Sequence, residues 1–464
     1  MTGDAGRDEP LALARSALVG VDAWLVGGAL RDRLLGRPVL DVDLVVDGDP
    51  EAAARTLARA AGGPVFELSA DYGAWRVLAA DRSWQADVSA MRGGLLAADL
   101  VLRDFTINAM AEPLAGGEPL DPHGGAGDLE ARRLRMTSTD TFSDDPLRVI
   151  RAARFACELS LEIDRATAAT ARAEASRVVA VAQERVFAEL KRIIGAEQPR
   201  RGLELLEQVG ALVVALPELA ALRGVEQTRY HHLDAYGHTL EVLDRVVELE
   251  RDPAALIGAA EGHRAAALLA EPLADELTRG GALRWAALLH DGAKPQTQAP
   301  LPEGGFGFRD HDRQGAELAR AVLERLRASE RLRAHVAAIT LHHLRPGMLV
   351  HRRPLSARDV YGYLSVTEPV EADVVLLSVA DRLATRGRKA EQSIESHMEL
   401  VGDLLPRALD WHDAGGAPAP LLRGDELGLA PGPEIGRILA ALSEAQYAGE
   451  VRTREQALDL ARRL

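Results

Sequence analysis

The segment WLVGGALRDRLLGRPVLDVDLVV, residues 24–46, constrains the fold of this chain more than any other. Its first apolar run ends at Val26, and two glycines, Gly27 and Gly28, follow at once. Glycine lets the backbone approach a ligand closely, and a helix starting at Ala29 would present free N–H groups to an anion. The segment therefore predicts a strand, a glycine turn and a helix whose amino end can hold a phosphate. The competing interpretation is a tight strand-to-helix connection without a ligand.

Two carboxylates, Asp41 and Asp43, follow in an apolar run typical of a strand. Side chains two residues apart in a strand point to the same side of a sheet, so these carboxylates should lie together. Two like charges held so close are costly without a cation, and a pair of Mg²⁺ ions would remove that cost and supply phosphoryl-transfer chemistry. Asp87, in the strand-like run WQADVSA, is the predicted third carboxylate, and the alternative for it is an ordinary exposed strand residue.

Composition limits the class of protein. A chain of 464 residues is too long for one hydrophobic core, and no run is apolar enough for a membrane helix. The single cysteine, Cys157, excludes an internal disulfide and a cysteine-based zinc cluster. Because the amino terminus has no export signal, we expect a cytoplasmic protein without membrane contact. The net charge of −15 does not by itself favour a nucleic-acid partner.

Two blocks of the chain carry a family resemblance. Residues 25–46 closely resemble the signature of class II bacterial tRNA nucleotidyltransferases and poly(A) polymerases, in the polymerase β-like superfamily. The block LRDFTINAM matches a second family motif, although Leu102 stands where the family usually has an arginine. The resemblance implies that Asp41, Asp43 and Asp87 are catalytic and that the first two bind Mg²⁺. It implies nucleotide-binding roles for Gly27, Gly28, Arg31, Asp32, Arg103, Asp104 and Asn108.

A third block, DDPLRVIRAARF, resembles the family motif that selects the nucleotide, with Asp144 in place of the usual glutamate. Asp145 and Arg148 are neighbours on one helix face. Their acceptor and donor groups complement the edges of cytosine and adenine and oppose those of uracil and guanine. Arg151 and Arg154 continue a basic stripe of predicted nucleotide-binding residues. The alternative is a common surface ion pair on a helix. The family resemblance also implies that tRNA is the partner and that CTP and ATP are the substrates.

The middle of the chain carries most of the histidines. It resembles HD-domain metal phosphohydrolases, whose ligands are a lone histidine, a His-Asp doublet and a later aspartate. The matching residues are His238, His290, Asp291, His311, His342 and Asp381. The resemblance implies a divalent metal that the sequence does not identify, and hydrolysis of a 2′,3′-cyclic phosphate or a phosphomonoester. Alternatively, the domain only clamps RNA.

These observations predict an α+β fold in four modules. A small α/β nucleotidyltransferase head covers residues 1–125, and a helical neck that selects the nucleotide and binds RNA covers 126–225. An HD domain follows at 226–395, and a helical tail at 396–464. The oligomeric state is not predicted.

The stretch from Asp87 to Arg103 is about half as long as in the family, where it holds a flexible loop. The same shortening marks the CC-adding enzymes, which leave the final A to a separate A-adding enzyme. We therefore expect addition of CMP to tRNA 3′ ends that stops at CC, with full CCA addition as the alternative. Three other interpretations stay open: a poly(A) polymerase, an HD phosphohydrolase with a vestigial head, and a non-catalytic RNA-binding protein.

Overall fold

The computed structural model describes residues 9–69, 73–228, 231–302, 304–387 and 389–464. The chain divides into two units. The first comprises Met1–Val181 and Glu204–Ala211, and the second comprises Ala182–Leu203 and Leu212–Leu464. Among the described residues, no helix is both long and apolar enough to cross a membrane. The predicted α+β class is confirmed, whereas the four-module division is finer than these two units and stays a prediction.

The first unit contains a six-stranded mixed sheet in the order β3-β4-β5-β2-β1-β6. Its strands are β1 (Ala23–Val26), β2 (Asp41–Val46), β3 (Val65–Ser69), β4 (Ala74–Leu78), β5 (Gln85–Ala90) and β6 (Ala111–Pro113). The β2–β5 pair is parallel, and the other pairs are antiparallel. In β2 the apolar side chains are buried while Asp41 is exposed, so the strand presents its carboxyl groups at the start of a core strand.

Eight helices accompany this sheet in the described part of the unit: α1 (Glu9–Ala17), α2 (Gly27–Leu34), α3 (Pro50–Ala61), α4 (Leu96–Val101), α5 (Gly125–Glu130), α6 (Thr141–Asp144), α7 (Leu147–Glu158) and α8 (Arg165–Glu174). Short 3-10 turns cover Arg92–Gly94, Thr106–Asn108 and Ala175–Ala180, and β7 (Arg133–Leu134) pairs with β8 (Glu162–Ile163). Helix α3 shows how the local sequence determines where a helix begins and ends. Asp49 caps its first turn, Pro50 follows at the first position, and Gly62 ends it in the left-handed region.

The second unit is almost entirely helical. The helices α9 (Gln183–Ile194) and α10 (Pro199–Gln208) lie where the chain passes between units. They are followed by α11 (Leu212–Ala215), α12 (Pro217–Ala220), α13 (Ala235–Arg251), α14 (Pro253–Ile257), α15 (Ala259–Ala270), α16 (Arg279–Leu289), α17 (Lys294–Thr297), α18 (His311–Arg325), α19 (Glu330–His342), α20 (Arg345–Leu349), α21 (Ala357–Thr367), α22 (Glu371–Ala384), α23 (Ala390–Asp413), α24 (Pro433–Tyr447) and α25 (Arg454–Ala461). Small antiparallel pairs join β9 (Pro272–Ala274) to β10 (Leu277–Thr278) and β11 (Gln298–Pro300) to β12 (Phe306–Phe308).

The core of this unit forms around α13, α16 and α22. Helices α16 and α22 are buried along most of their length, as in the run VVLLSVA of α22, and such helices are stable only when surrounded by others. A charged group that they bury is costly unless it is paired. Arg279 of α16, for example, forms a buried ion pair with Asp373 of α22.

Candidate active site and histidine cluster

The three predicted carboxylates of the head come together at the β2–β5 pair. The parallel register sets Asp43 directly opposite Asp87, and Asp41 opposite Gln85. Burial raises the pKa of Asp43 to about 6, with a smaller contribution from the charges of Asp87 and Asp41 and against the opposing charge of Arg103. Carboxylates that repel one another in this way suit a site for divalent cations.

The Gly27–Gly28 turn lies against one of these carboxylates. Helix α2 begins at Gly27, and the backbone N–H of Gly28 donates to the Asp43 carboxylate. Gly27 has φ +66°, and a Cβ at this position would lie 2.9 Å from both Arg103 Nη1 and Asp43 Oδ2. Only glycine therefore leaves room between the arginine and the carboxylate. The turn that the sequence predicts is present, and it lies against the carboxylate site.

Two residues that the sequence did not single out hold this site in place. Arg76 of β4 forms a bidentate ion pair with Asp87, with both N···O distances at 2.8 Å. Asp99 of α4 is 1% exposed and accepts from Arg92 at 2.8 Å and from Arg103 at 3.0 Å. Asp99 thus fixes the guanidinium that faces Asp43. The i,i+4 spacing of Asp99 and Arg103 was the only sequence signal for this contact.

The predicted ribose- and triphosphate-binding residues form one connected network. Arg31 Nη1 donates to Asn108 Oδ1 at 2.7 Å, and Arg31 also binds Asp32 at 2.8 Å. Asn108 Nδ2 donates to Asp104 Oδ1 at 2.9 Å, and Arg151 binds Asp104 Oδ2 at 2.7 Å. Burial disfavours the Asp104 charge, but Arg151 and Asn108 outweigh it and hold the pKa of Asp104 at about 2.

The residues predicted to select the base do not share one helix face, because Asp145 is extended and precedes α7, whereas Arg148 lies in the first turn of that helix. Asp145 accepts from the Leu147 backbone N–H at 3.1 Å, and Arg148 donates to the carbonyls of Leu102 at 2.8 Å and Thr141 at 3.2 Å. Leu102 is the position that departs from the family motif, and its backbone carbonyl anchors Arg148 whatever its side chain.

Arg154 differs from the other predicted nucleotide-binding residues because it lies in the interior. It is 1% exposed, donates to Glu158 at 2.8 Å and stacks 3.9 Å from the centroid of the Phe155 ring. The guanidinium groups of Arg31 and Arg151 also lie about 5 Å from this ring, at 5.0 and 5.1 Å. The structure therefore places Arg154 in the packing beneath the network, where it supports the other two arginines.

The second unit brings most of the predicted metal ligands into one cluster. His238 lies on α13, His290 and Asp291 follow α16, His311 begins α18, and Asp381 lies on α22. His238 Nε2 lies 3.0 Å from Asp381 Oδ1, and His290 Nε2 lies 3.2 Å from Asp291 Oδ2. Two groups of ligand atoms result, each with its atoms within 4.8 Å of one another: His238, His290 and Asp381, and Asp291, His311 and His343.

His342, which the sequence predicts as a ligand, lies outside the two candidate ligand groups, and its neighbour His343 lies in one of them. His342 is the last residue of α19, and its Nδ1 accepts from Arg345 Nε at 2.9 Å. His343 instead bonds through Nδ1 to the Thr340 carbonyl at 2.6 Å and packs against the rings of His290 and His311. Two adjacent histidines at a helix end point about 100° apart, so only one can face the cluster.

The hydrogen bonds of the clustered histidines are compatible with metal binding. His290 and His311, like His343, bond through Nδ1 to a backbone carbonyl, which leaves Nε2 as a lone-pair donor directed at the cluster. Within the described residues, the buried Nε2 atoms of His238 and His290 lie close to the carboxylates of Asp381 and Asp291 but form no well-aligned hydrogen bond. Lys294 donates to Asp291 and to Gln227 at 2.5 Å. Burial opposes the charge of Asp291, but His290 and Lys294 hold its pKa well below the usual range.

Three models of known protein families match the chain. The family model of the poly A polymerase head domain matches residues 23–95 and 76–135. The model of the probable RNA- and SrmB-binding site of polymerase A matches residues 160–222, and that of the HD domain matches residues 235–386. The head match contains the three carboxylates, and the HD match contains the whole histidine cluster.

Relatives match the chain over almost all of its length. It is 37% identical over 454 residues to the A-adding tRNA nucleotidyltransferase of Deinococcus radiodurans, covering 94% of each chain. It is 36% identical over 448 residues to the CC-adding tRNA nucleotidyltransferase of Thermus thermophilus, covering 94% of this chain and 92% of that one. The fold is that of the Thermotoga maritima CCA-adding enzyme complexed with tRNA, with a TM-score of 0.61 at 19% identity, covering 99% and 98% of the two chains. The chain therefore belongs to the tRNA nucleotidyltransferase family, and it contains the head domain and the HD domain that the family models describe.

Proposed function

We propose that this protein adds CMP to the 3′ end of tRNA and stops at CC. The proposal of nucleotidyl transfer rests on one observation: Asp43 lies opposite Asp87 in the sheet and next to the Gly27–Gly28 turn. The 3′-hydroxyl of the tRNA attacks the α-phosphorus of CTP. A new phosphodiester bond forms, and the bond between the α- and β-phosphates breaks, so that pyrophosphate leaves. tRNA and the nucleoside triphosphates CTP and ATP are the proposed ligands, as the names of the relatives suggest.

The carboxylates Asp41, Asp43 and Asp87 would hold divalent cations, which we propose to be Mg²⁺. Burial raises the pKa of Asp43 to about 6, and the charges of Asp87 and Asp41 add to that shift, so bound cations would offset the cost of keeping these carboxylates ionised together. Bound there, the ions would activate the hydroxyl nucleophile and neutralise charge on the leaving pyrophosphate. The chain itself contributes the backbone N–H groups at the start of α2 and the guanidinium of Arg103 as phosphate donors.

A matched pair of carboxylate variants tests this site. Asp43→Asn keeps the shape of the side chain and removes its charge, so nucleotide addition should fall by roughly a thousandfold. Asp47→Asn changes an exposed carboxylate just after β2 and should leave the rate unchanged. Both are measured with tRNA lacking its 3′ CCA end, CTP and Mg²⁺. Addition by the Asp43 variant at a near-normal rate would remove the proposed cation site.

We assign base selection to Asp145 and Arg148. Arg148 is held by two backbone carbonyls at the start of α7, which gives its guanidinium a defined direction. A fixed donor beside a carboxylate acceptor matches cytosine and leaves uracil with unpaired polar groups. Arg148→Ala should therefore raise incorporation of UMP and GMP relative to CMP as well as slow the reaction. Unchanged selectivity with all four nucleotides would place base recognition elsewhere.

The restriction to CC rests on the short stretch between Asp87 and Arg103. This stretch folds into a 3-10 turn at Arg92–Gly94 and the helix α4, rather than a long loop. Asp99 links the 3-10 turn to the end of this stretch, because it pairs with both Arg92 and Arg103. A pocket bordered by so constrained a segment has little freedom to widen from cytosine to the larger adenine. The final A would then come from a separate A-adding enzyme.

Product sequencing decides this point. The purified protein is incubated with CTP, ATP and tRNA that ends at the discriminator base, and the 3′ ends are sequenced. We expect CC ends that persist when ATP is in excess. Identity to relatives does not choose between outcomes, because A-adding and CC-adding relatives match almost equally well. Efficient formation of CCA ends by this protein alone would contradict the restriction.

For the second unit we propose a metal-dependent phosphohydrolase activity. Its support is the convergence of six candidate ligand residues in two groups of three, in which the buried Nε2 atoms of His238 and His290 lie beside carboxylates without a well-aligned hydrogen bond. Lys294 beside Asp291 would bind the substrate phosphate. The assay uses 2′,3′-cyclic AMP and p-nitrophenyl phosphate with Mn²⁺, Ni²⁺, Co²⁺ or Mg²⁺, and the metal content of the purified protein. Absence of hydrolysis in a protein loaded with each of these metals would leave the domain with an RNA-clamping role.

A further inference from the structure

A row of four side chains crosses the sheet of the first unit and extends the carboxylate site toward the edge of that sheet. The row begins with Asp43 of β2 and Asp87 of β5. It continues with Arg76 of β4, which lies opposite Asp87, and ends with Phe66 of β3, which lies opposite Arg76. Neighbouring strands lie about 4.8 Å apart, so Phe66 and Asp87 are separated by about 10 Å. These four residues therefore belong to one continuous strip of surface.

The strip lies on the face of the sheet that is turned away from α3. Ala86 and Val77, the neighbours of Asp87 and Arg76 in their strands, are fully buried. Helix α3 lies on their side, where its Arg55 is 5.8 Å from the centroid of the Trp75 ring. Because side chains alternate between the two faces of a sheet, the row itself points to the opposite face.

Phe66 presents an aromatic ring to solvent at the end of this row. Strand β3 is the last strand in the sheet order, and Phe66 is 43% exposed. Leu68, two residues later on the same side, is 45% exposed. Proteins usually protect an edge strand with charged residues, because exposed apolar residues there favour pairing with another chain. A partly exposed ring beside a nucleotide site is suited to stacking on a base, since every base has a π-face.

Arg76 connects this ring to the carboxylates and keeps part of its guanidinium available. Its Nε and Nη2 donate to the two oxygens of Asp87, both at 2.8 Å. Among the residues that the structure describes, Nη1 has no hydrogen-bond partner, and the side chain is 27% exposed. A guanidinium carries five N–H donors in a fixed geometry. Arg76 can therefore hold Asp87 and at the same time donate to a phosphate.

The position of the triphosphate indicates what this surface receives. At the other end of the row, Asp43 lies beside the Gly27–Gly28 turn and Arg103, the proposed phosphate donors. In an in-line displacement, the attacking group enters on the side opposite the leaving pyrophosphate. If the pyrophosphate leaves toward α2, the 3′-hydroxyl approaches from the side of Asp87, over Arg76 and Phe66. This step rests on the function proposed above.

We propose that Phe66 and Arg76 bind the last nucleotide of the tRNA acceptor end, with the Phe66 ring against its base and Arg76 on its phosphate. The bases of a single-stranded RNA end are free to stack on aromatic side chains. Stacking does not read the edge of a base, so the same ring accepts the discriminator base first and the newly added cytosine next. This surface would position the growing end without selecting its sequence, whereas selection of the incoming base is assigned to other residues.

A tRNA whose 3′-terminal base is 2-aminopurine tests the stacking, because its emission responds to stacking. The titration is made in EDTA without CTP, so it requires no catalysis. We expect an emission change on binding to the unmodified protein that is lost in Phe66→Leu and kept in Phe66→Trp. Glu67→Ala changes an exposed neighbour on the other face of β3 and should behave like the unmodified protein.

The kinetics of CMP addition give a second measurement. Phe66→Leu should raise the KM for tRNA about tenfold and leave the KM for CTP unchanged, because only the acceptor end loses a contact. Arg76→Ala should raise the KM for tRNA and also lower kcat, because it releases Asp87. Arg59→Ala removes an exposed charge on α3 and serves as the control.

The outcomes distinguish this proposal from the proposed function. An unmodified protein that adds no CMP would refute the proposed function, whereas the emission titration judges the surface separately. Equal emission changes in the unmodified protein and in folded Phe66→Leu, with equal KM values for tRNA, would overturn the proposal and leave nucleotide addition standing. Sedimentation covers the other occupant of an apolar edge. A dimer that dissociates in Phe66→Leu without a change in emission would assign the ring to a contact between two copies, and would also overturn the proposal.

Discussion

At the scale of single residues, a comparison of two glycines distinguishes the stability cost of a left-handed backbone from the steric requirement of the candidate active site. Gly27 and Gly36 share a φ of +66°, but a Cβ at Gly36 meets nothing within 4 Å, whereas one at Gly27 meets Arg103 and Asp43. Each alanine variant should lose about 1 kcal/mol of stability from the left-handed backbone. Only Gly27→Ala should also lose nucleotide addition, by ~100-fold, because it displaces the site. Comparable activity in the two variants would show that the site tolerates a methyl group at the turn.

Asp104 makes a prediction about pH. Its folded-state pKa, about 2, lies below the ordinary value of 3.8, so its charge stabilises the fold above about pH 4, and this contribution is lost as pH falls toward 2. Asp104→Asn should lower the thermal unfolding temperature at pH 7 by an amount equivalent to roughly 2 kcal/mol. The difference from the unmodified protein should shrink between pH 4 and pH 3. A difference that is constant with pH would assign the effect to packing rather than to charge.

The clustering of the three head carboxylates could be predicted from sequence because it depends on strand periodicity and on a local motif. Arg76 could not, since its partner Asp87 lies across an antiparallel pair whose register is set by the whole sheet. The same applies to Arg154, whose interior position depends on how α7 packs around Phe155. Residues that act through distant strands or helices leave little trace in the local sequence.

At the scale of elements, the position at which α19 ends determines which of two adjacent histidines faces the cluster. His343→Ala removes a residue that faces Asp291 and His311, so the affinity for divalent metal and the phosphohydrolase activity should both fall roughly tenfold or more. His342→Ala is the matched control, because its ring bonds to Arg345 outside the cluster. Metal content and hydrolysis of 2′,3′-cyclic AMP distinguish the two. A larger loss for His342→Ala would reverse this assignment.

The order of ligands along the chain was enough to predict the cluster, but the limits of the helices were not. A histidine-rich helix end is compatible with either of two adjacent side chains, and the choice depends on where α19 stops and on the bond from His343 to Thr340. Helix ends are the least reliable part of any sequence-based assignment. For this reason five of the six residues in the two candidate ligand groups were named from the sequence, and the sixth differs from the named one by one position.

At the scale of the whole molecule, the two sites lie in separate units, and each should be removable alone. Asp43→Asn should abolish nucleotide addition and leave hydrolysis of cyclic phosphate unchanged. Asp291→Ala should do the reverse, because it removes an HD ligand from a different core. Both activities are measured on each variant after circular dichroism shows native helix content. A loss of both activities in a folded variant would mean that the two units depend on one another for function.

The parallel pairing of β2 with β5 has a consequence for biosynthesis. Helix α3 and strands β3 and β4 lie between the two strands in the chain, so Asp43 meets Asp87 only after this crossover has been made and folded. Such non-local pairing forms late, since closing the intervening loop costs entropy before any contact repays it. A nascent chain that carries only Asp41 and Asp43 therefore has no complete cation site. Incomplete translation products of this enzyme should be inert toward the cellular pool of CTP and tRNA.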